Sequence, residues 1–416
     1  QNAGTFRKSA GAGSTLWAIP VLNSGSVEVL QGTLNLNGGG PLDGSFSAAS
    51  GAALHFNAGS FTYSTAPVLS GPGAFQLTGG SLALVNDLIP NLTLVSGTLS
   101  LGPGFQGGTI TNLTLPAVTL SGNNTVSGTF NWAGTTTSGR LLVAAGGTVN
   151  WSAGVAAGPL TIASNGVLNI LGGGSGVTLQ SALTNSGTVN WTSGDLLFQT
   201  CSGAGPIVNL AGGLWDIQCD QPLTVNCGLV GDAFFQNLGL FRRSAGIGLT
   251  SWAIPLRTSG TVTVLQGTLN LDGGGQVEGS FNAASGAALH FNGGSFSYGI
   301  APALTGPGAI QLTGGSLALV DDLLPNLALV SGTITLGPNF QGGTITNLTL
   351  TAVTLSGTNT VSGTFNLAGG TAAGRLLVAA GATMNWTAGL ASGPLTIASN
   401  GVLNLIGGGG TVSLQS

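Results

Sequence analysis

The chain contains the same long sequence twice. Residues 1–181 match residues 236–416 at a constant offset of 235 positions, with no gap and about three residues in four identical. Duplication of this kind is typical of fibres and adhesive stalks, since a catalytic site seldom needs a second copy in one chain. We expect one continuous rod with a first repeat over 1–235 and a second, incomplete copy over 236–416. Because Gln1 opens inside a repeat, we also expect the chain to be a fragment or processed form of a longer product.

A shorter period lies inside the long repeat. Segments of alternating apolar and polar residues recur, and each predicts a strand, a tight bend and a second strand. The bends are Gln-Gly, Ser-Gly, Gly-Gly or Asn-Gly, which allow positive φ. The segments are SVEVLQGTLNL at 26–36, SFSAASGAALHF at 45–56, AFQLTGGSLAL at 74–84, LTLVSGTLSL at 92–101, RLLVAAGGTVNW at 140–151 and PLTIASNGVLNI at 159–170.

The spacing of these segments predicts an all-β fold, a parallel β-solenoid or β-helix built from coils of about 20 residues. Segments start roughly 18–28 residues apart, which fits one circuit of a solenoid, and helix formers for βαβ crossovers are missing. Coils of this type stack at about 4.8 Å. The competing architecture is an antiparallel β-sandwich, in which each segment is a hairpin. The gap-free alignment of the two copies favours the solenoid, because each coil must keep its register with the next.

The composition of the chain limits the classes of molecule that it is expected to bind. The 416 residues include 75 Gly and only 4% charged residues, yet 42% are hydrophobic, so a core can be buried. A net charge of −4 argues against nucleic acid and anionic membrane surfaces as partners. No apolar run reaches the roughly 18 residues of a membrane span. Sparse charge gives weak mutual repulsion, so we expect self-association into filaments, end to end and side by side.

The three cysteines all lie in the segment 182–235. If coils there are 18–22 residues long, Cys201 and Cys219 stand above one another and form a disulfide in an oxidising compartment, which leaves Cys227 over. The alternative is that all three are small buried side chains.

The acidic residues do not predict catalysis. Only Asp87 with Asp322, and Asp43 with Glu278, are acidic in both copies. A polysaccharide-cleaving β-helix needs carboxylates that converge in a groove. Asp87 stands alone in VNDLIP, which is typical of a turn before proline. We therefore predict that the chain is not an enzyme and has no catalytic residues.

Two basic pairs are the densest charge in the chain. Arg7 with Lys8 and Arg242 with Arg243 each follow a phenylalanine, in FRKSAG and FRRSAG. They are candidate surface contacts for a sulfate, a uronic acid or a carboxylate of a neighbouring rod. The alternative is that they are solvated or bond to carbonyls at a bend.

No motif predicts a metal or a cofactor. His55 and His290 occupy equivalent places in ALHFN without a second ligand at metal-binding spacing. Phosphate-binding and dinucleotide-binding fingerprints are missing as well. We expect neither metal nor cofactor.

Aromatic and hydroxyl residues suggest two further functions. Trp132, Trp151, Trp191 and Trp386 each follow Asn, and exposed rings there would stack on sugar. Leu367 replaces Trp132 in the second copy, which favours packing in the core. The Thr-rich stretches at 109–120 and 344–355 suggest an ice-binding face, although their spacing looks irregular from coil to coil.

Taken together, GTFRKSAG, SGSVEVLQGTLNLNGGG, SGTFNWAG and SNGVLNI resemble the repeats of very long bacterial surface proteins, of the filamentous-haemagglutinin and autotransporter-passenger type. The resemblance implies a right-handed β-helix at the cell surface, used in adhesion, fibre formation or matrix building. We expect an extracellular structural protein. A carbohydrate-binding or carbohydrate-active β-helix protein, with surface carbohydrate as partner, is the alternative, and an ice-binding solenoid is the third hypothesis.

Overall fold

A computed structural model describes residues 1–173, 176–199, 201, 205–227, 233–407 and 410–415. Strands make up 52% of it, and the chain forms about 21 turns of a parallel β-solenoid with coils of roughly 19 residues. The described part of the chain contains no α-helix, only two short 3₁₀ turns. The predicted all-β parallel solenoid is confirmed.

The chain divides into two compact units, Gln1–Ala204 and Gly205–Ser416. In the first unit, strands β1 to β24 are Thr5–Lys8, Ser14–Trp17, Ser26–Val29, Thr33–Leu36, Gly40–Pro41, Ser45–Ala48, Ala53–Phe56, Ser60–Thr62, Val68–Ser70, Ala74–Leu77, Ser81–Leu84, Leu92–Leu94, Thr98–Leu101, Ile110–Leu115, Thr119–Ser121, Asn124–Thr137, Leu141–Val143, Thr148–Ala156, Leu160–Ile162, Val167–Ile170, Val177–Leu179, Leu183–Asn185, Thr188–Trp191 and Leu196–Phe198. A 3₁₀ turn spans Phe105–Gly108.

In the second unit, strands β25 to β50 are Ile207–Asn209, Leu214–Ile217, Leu223–Val225, Phe235–Asn237, Leu240–Arg243, Leu249–Trp252, Leu256–Thr258, Thr261–Val264, Thr268–Leu271, Gly275–Val277, Ser280–Ala283, Ala288–Phe291, Ser295–Ser297, Ala303–Thr305, Ala309–Leu312, Ser316–Leu319, Ala328–Leu329, Thr333–Leu336, Ile345–Leu350, Thr354–Leu355, Asn359–Ala372, Leu376–Val378, Thr383–Ala391, Leu395–Ile397, Val402–Leu405 and Val412–Leu414. A second 3₁₀ turn spans Phe340–Gly342.

The strand–bend–strand segments are parts of one coil and not hairpins. In the segment 26–36, β3 and β4 flank a bend at Gly32, which has φ +68°. β3 pairs in parallel with β6, and β4 pairs in parallel with β7 on the next coil. Every pairing between described strands whose register is resolved is parallel, which rules out the antiparallel sandwich.

The core follows from the period of two in each strand. Leu34 and Leu36 point inwards and are at most 1% exposed, while Thr33 and Asn35 lie on the outer face. The parallel register places Leu34 beside Leu54 on the next coil. Equivalent apolar side chains are thus stacked at the roughly 4.8 Å spacing of neighbouring strands.

The tryptophans that follow Asn belong to this core. Trp132, Trp151 and Trp191 have 0% exposure and Trp386 has 2%. The rings of Trp132 and Trp151 are stacked, with centroids 4.5 Å apart. The structure therefore supports the packing interpretation of these residues and not a sugar-stacking surface.

Candidate functional sites

Polar side chains on the outer face bond to their counterparts one coil away. The Asn131 amide donates to Thr114, and Asn150 Nδ2 donates to Asn131 Oδ1 at 2.9 Å. Asn169 and Asn190 continue the series at 2.9 and 3.0 Å. We call these residues, from Thr114 to Asn190, the asparagine ladder. Each amide meets the hydrogen-bonding needs of the next, so the ladder holds coils together.

The same arrangement recurs in the second copy. Asn366 donates to Thr349, Asn385 to Asn366 and Asn404 to Asn385, at 2.9–3.0 Å. The side chains of Asn150 and Asn385 therefore occupy equivalent places in the two copies, each bonded to the coils on both sides.

A second ladder is buried in the second unit. Asn209 Nδ2 donates to Asn237 Oδ1 at 2.8 Å, and Asn237 Nδ2 donates to Thr258 Oγ1 at 3.1 Å. Asn209 and Asn237 are 0% exposed. This ladder was not predicted from the sequence. The signal that could have found it is Asn209 and Asn237, each a polar residue in a largely apolar strand context.

Within each unit, hydroxyl side chains form a column of in-register residues on a further outer face. In each copy, one Ser or Thr from each of five successive coils stands in register with the next. In the first copy the column is Ser60, Ser81, Thr98, Thr119 and Thr136. In the second copy it is Ser295, Ser316, Thr333, Thr354 and Thr371. We call these two columns the hydroxyl face.

Arg242 lies in an ion pair with a buried acid. Its Nη2 is 2.7 Å from Asp216 Oδ2, and Nε donates to Asp216 Oδ1 at 3.2 Å. The Asp216 side chain is 1% exposed, while that of Arg242 is 32% exposed. The hydrogen bond to Asp216 raises the pKa of Arg242. Arg242 still reaches the surface, and its role as a surface contact stays a prediction.

Arg243 is fully buried, so its prediction as a surface contact is wrong. Its side chain is 0% exposed, because β29 alternates and points this position inwards. The guanidinium donates to the carbonyls of Gln266, Gly246 and Gly248 at 3.0–3.2 Å and pairs with Asp220. It thereby fastens the bend of its own coil to both neighbours, which was the alternative interpretation of the basic pairs.

The first copy has a smaller version of this arrangement. Arg7 Nε lies 2.7 Å from Glu28 Oε2, with 52% of the Arg7 side chain exposed. Lys8 Nζ donates to the carbonyls of Ala10 and Gly11, both at 3.1 Å. Arg7 and Lys8 as surface contacts remain predictions.

Asp87 braces a turn. Its Oδ1 accepts from the backbone N–H of Leu88 at 2.8 Å and from Gln106 Nε2 at 3.1 Å. Asp322 makes the same two bonds, to Leu323 and Gln341, at 2.7 and 3.0 Å. The turn interpretation of these acids is supported.

The other repeated acid is also engaged with backbone. Asp43 Oδ1 accepts the N–H groups of Ser64 and Thr65 at 2.5 and 2.9 Å. Bonds from Thr65 and then Ser64 hold the pKa of Asp43 below its usual value. In the second copy the N–H of Gly299 does the same for Glu278. These carboxylates stabilise bends of adjacent coils.

The histidines belong to outer-face columns. His55 Nδ1 lies 3.0 Å from Asn35 Oδ1, and His290 Nδ1 lies 3.0 Å from Asn270 Oδ1. Partial burial lowers the pKa of both imidazoles. Within the described residues, no three His, Cys, Asp or Glu side chains are grouped closely enough to hold a metal ion.

The predicted disulfide between Cys201 and Cys219 is wrong. Cys201 and Cys227 are disulfide-bonded, and Cys219 is a buried thiol. The physical reason is the local coil length. Ile207 pairs with Phe235, 28 residues on, so two cysteines only 18 residues apart do not sit one coil apart.

Among the described residues, no helix has the length and apolar character needed to cross a membrane.

No protein-family model, curated protein or solved structure matches the chain.

Proposed function

We propose that the chain is a structural segment of an extracellular fibre, adhesin stalk or matrix. The observation that carries this proposal is that polar side chains on the outer faces form hydrogen bonds within the solenoid itself. Polar side chains such as Asn150 and Asn169 bond to the next coil, and carboxylates such as Asp43 bond to backbone. These groups hold the solenoid together instead of converging on a substrate.

The finer proposal is a cell-surface protein of the filamentous-haemagglutinin or autotransporter-passenger type. The repeat style of segments such as GTFRKSAG supports it, together with the parallel solenoid. The disulfide bonding of Cys201 and Cys227 is consistent with an oxidising compartment outside the cytosol.

Self-association into filaments belongs to the same proposal. Ile247, Ile300 and Val68, which lie away from both ends of the sequence, are 85%, 75% and 62% exposed. A second copy of the chain would remove these apolar side chains from water. A net charge of −4 over 416 residues offers little electrostatic opposition.

Sedimentation velocity over a hundredfold concentration range tests this proposal. We expect large species to increase with concentration and the Ile247→Asp, Ile300→Asp double variant to remain small. The control is Val95→Asp with Val330→Asp, which places charges at residues 44% and 42% exposed along the coils. A single monomeric species at every concentration would overturn self-association.

A carbohydrate-active enzyme is the alternative. Incubation with pectin, alginate and other acidic polysaccharides should release no product, because Asp87 and Asp322 are each bonded to a turn. Turnover that disappears in Asp87→Asn with Asp322→Asn would favour the enzyme over the structural protein.

The hydroxyl face favours ice binding as a second candidate. Each column places a hydroxyl on five successive coils at the roughly 4.8 Å strand spacing, without a charged residue in either column. The Thr spacing looks irregular in the sequence because coil lengths vary, and only the register of the folded coils aligns these residues. A rigid, regularly spaced array of this kind suits an ordered water lattice.

An ice-recrystallisation assay distinguishes this candidate. Inhibition by the wild type should be lost in Thr119→Lys with Thr354→Lys, which breaks both columns. Thr33→Lys with Thr268→Lys changes another outer face in both copies and should retain it. If the wild type shows no inhibition, ice binding is excluded.

A further inference from the structure

A small cleft opens beside the 3₁₀ turn in each copy. In the first copy it is lined by Phe105, Thr109, Asn123, Asn124 and Thr125, among others. The cleft of the second copy has the same residues at the offset of 235, except that Thr358 replaces Asn123. We call these two sites the turn clefts. Each has a volume of about 120 Å³.

The turn that borders the cleft departs from the regular coil and is strained. Gln106 and Gln341 both have φ +46°, an uncommon conformation for a residue with a side chain. The strain is held by a fixed set of bonds. Gln106 Oε1 accepts the N–H groups of Thr111 and Asn112 at 2.8 and 3.0 Å, and Nε2 donates to Asp87.

The second copy has the same turn with the same set of hydrogen bonds. Gln341 Oε1 accepts the N–H groups of Thr346 and Asn347 at 2.8 and 3.0 Å, and Nε2 donates to Asp322. Backbone strain kept by specific bonds is concentrated at functional sites in proteins. Both copies keep this strained turn, and the cleft that the turn borders is therefore a candidate binding site.

The lining selects the chemistry of a ligand. No charged side chain lines either turn cleft, so a neutral ligand is favoured. Leu101 and Pro103, which reach the surface, provide apolar wall, and Thr109 and Thr125 provide hydroxyls. Asn124 Nδ2 is occupied by the carbonyls of Ser121 and Gly122, both at 3.0 Å, so its Oδ1 is the group that can accept a further bond.

We propose that the turn clefts bind a single neutral pyranose, such as a terminal sugar of a glycan chain. A pyranose combines an apolar C–H face with hydroxyls that donate and accept, which matches apolar wall, Thr hydroxyls and an Asn carbonyl oxygen. The cleft is far smaller than the roughly 300–1,000 Å³ of pockets for drug-sized ligands, which limits it to one ring. The binding goes beyond the structural role and does not depend on self-association.

Saturation-transfer NMR on the intact chain tests this proposal with a panel of methyl glucoside, galactoside, mannoside and N-acetylglucosaminide. We expect saturation of at least one glycoside. Asn123→Trp with Thr358→Trp should abolish it, because an indole at the exposed edge of each cleft fills the site. Asn123→Thr inserts the residue of the second copy and should retain the signal.

A milder variant keeps the test independent of folding defects. Thr125→Val with Thr360→Val removes one hydroxyl per cleft and should weaken binding about fivefold, as expected for one lost hydrogen bond. Absence of transfer to every glycoside would overturn the proposal. So would transfer that both the Trp and Val variants leave unchanged.

Discussion

At the scale of the residue, the same position has different surroundings in the two copies. Arg243 is completely buried and reaches the carbonyls of four residues, whereas its counterpart Lys8 bonds only to Ala10 and Gly11. A guanidinium has five donors in a fixed fork, and an ammonium has three on a flexible stem. Arginine is therefore suited to the position that joins three coils.

Replacement of Arg243 tests this role. Arg243→Met should lower the free energy of unfolding by about 3 kcal/mol or more, because several buried carbonyls lose their donor. Arg243→Lys should cost less, since an ammonium reaches some of them. Urea denaturation measures both, with Arg140→Met at an exposed position as control and an expected change within about 0.5 kcal/mol. Equal losses in Arg243→Met and Arg140→Met would contradict the role.

The two histidines predict a dependence of stability on pH. Burial lowers the pKa of His55 and His290 from the ordinary value of 6.5 in the folded state. The unfolded chain then binds more protons as pH falls below about 6.5, so the stability they contribute is present above that pH and is lost below it. In His55→Asn with His290→Asn, the decline in unfolding free energy between pH 7 and 5 should be shallower. An unchanged slope would show that the imidazoles do not contribute.

At the scale of the element, the coil corners depend on glycine for space. A Cβ at Gly139 would lie 1.9 Å from the Gly122 carbonyl oxygen, and one at Gly374 would lie 1.7 Å from that of Gly357. Neither glycine has a positive φ, so the constraint is the close approach of backbone on the preceding coil. The corner glycines thus set how tightly successive coils stack.

Substitution at these corners should separate crowding from glycine flexibility. Gly139→Ala and Gly374→Ala should each lower the unfolding free energy by about 1–3 kcal/mol through overpacking. Gly13→Ala is the control, because a Cβ there meets nothing within 4 Å and φ is not positive. Thermal denaturation followed by circular dichroism measures all three. A neutral Gly139→Ala would mean that the corner can relax.

The elements also show what the sequence can predict. The period of two and the Gly bends are local properties of the sequence, and they predicted strands β3 and β4. The regular spacing of the segments predicted that these strands stack in parallel. The hydroxyl face was not predicted, because the steps along its first column vary from 17 to 21 residues and register is a property of the folded coils. The cysteine pairing was predicted wrongly for a similar reason, because the coil near Ile207 is longer than the 18–22 residues assumed from the sequence.

At the scale of the whole molecule, duplication repeats detail as well as fold. The asparagine ladder and the turn cleft recur at the offset of 235. The repeat and its class of fold were readable from the sequence. The buried position of Arg243 and the turn cleft were not, since both depend on contacts between residues on different coils.

Electron microscopy of fibres of the natural material tests the central claim most directly. We predict an axial repeat of roughly 50–60 Å along these fibres, from about 12 coils per 235-residue unit at about 4.8 Å each. Natural material that consists of dispersed single molecules, or fibres without that repeat, would contradict the claim.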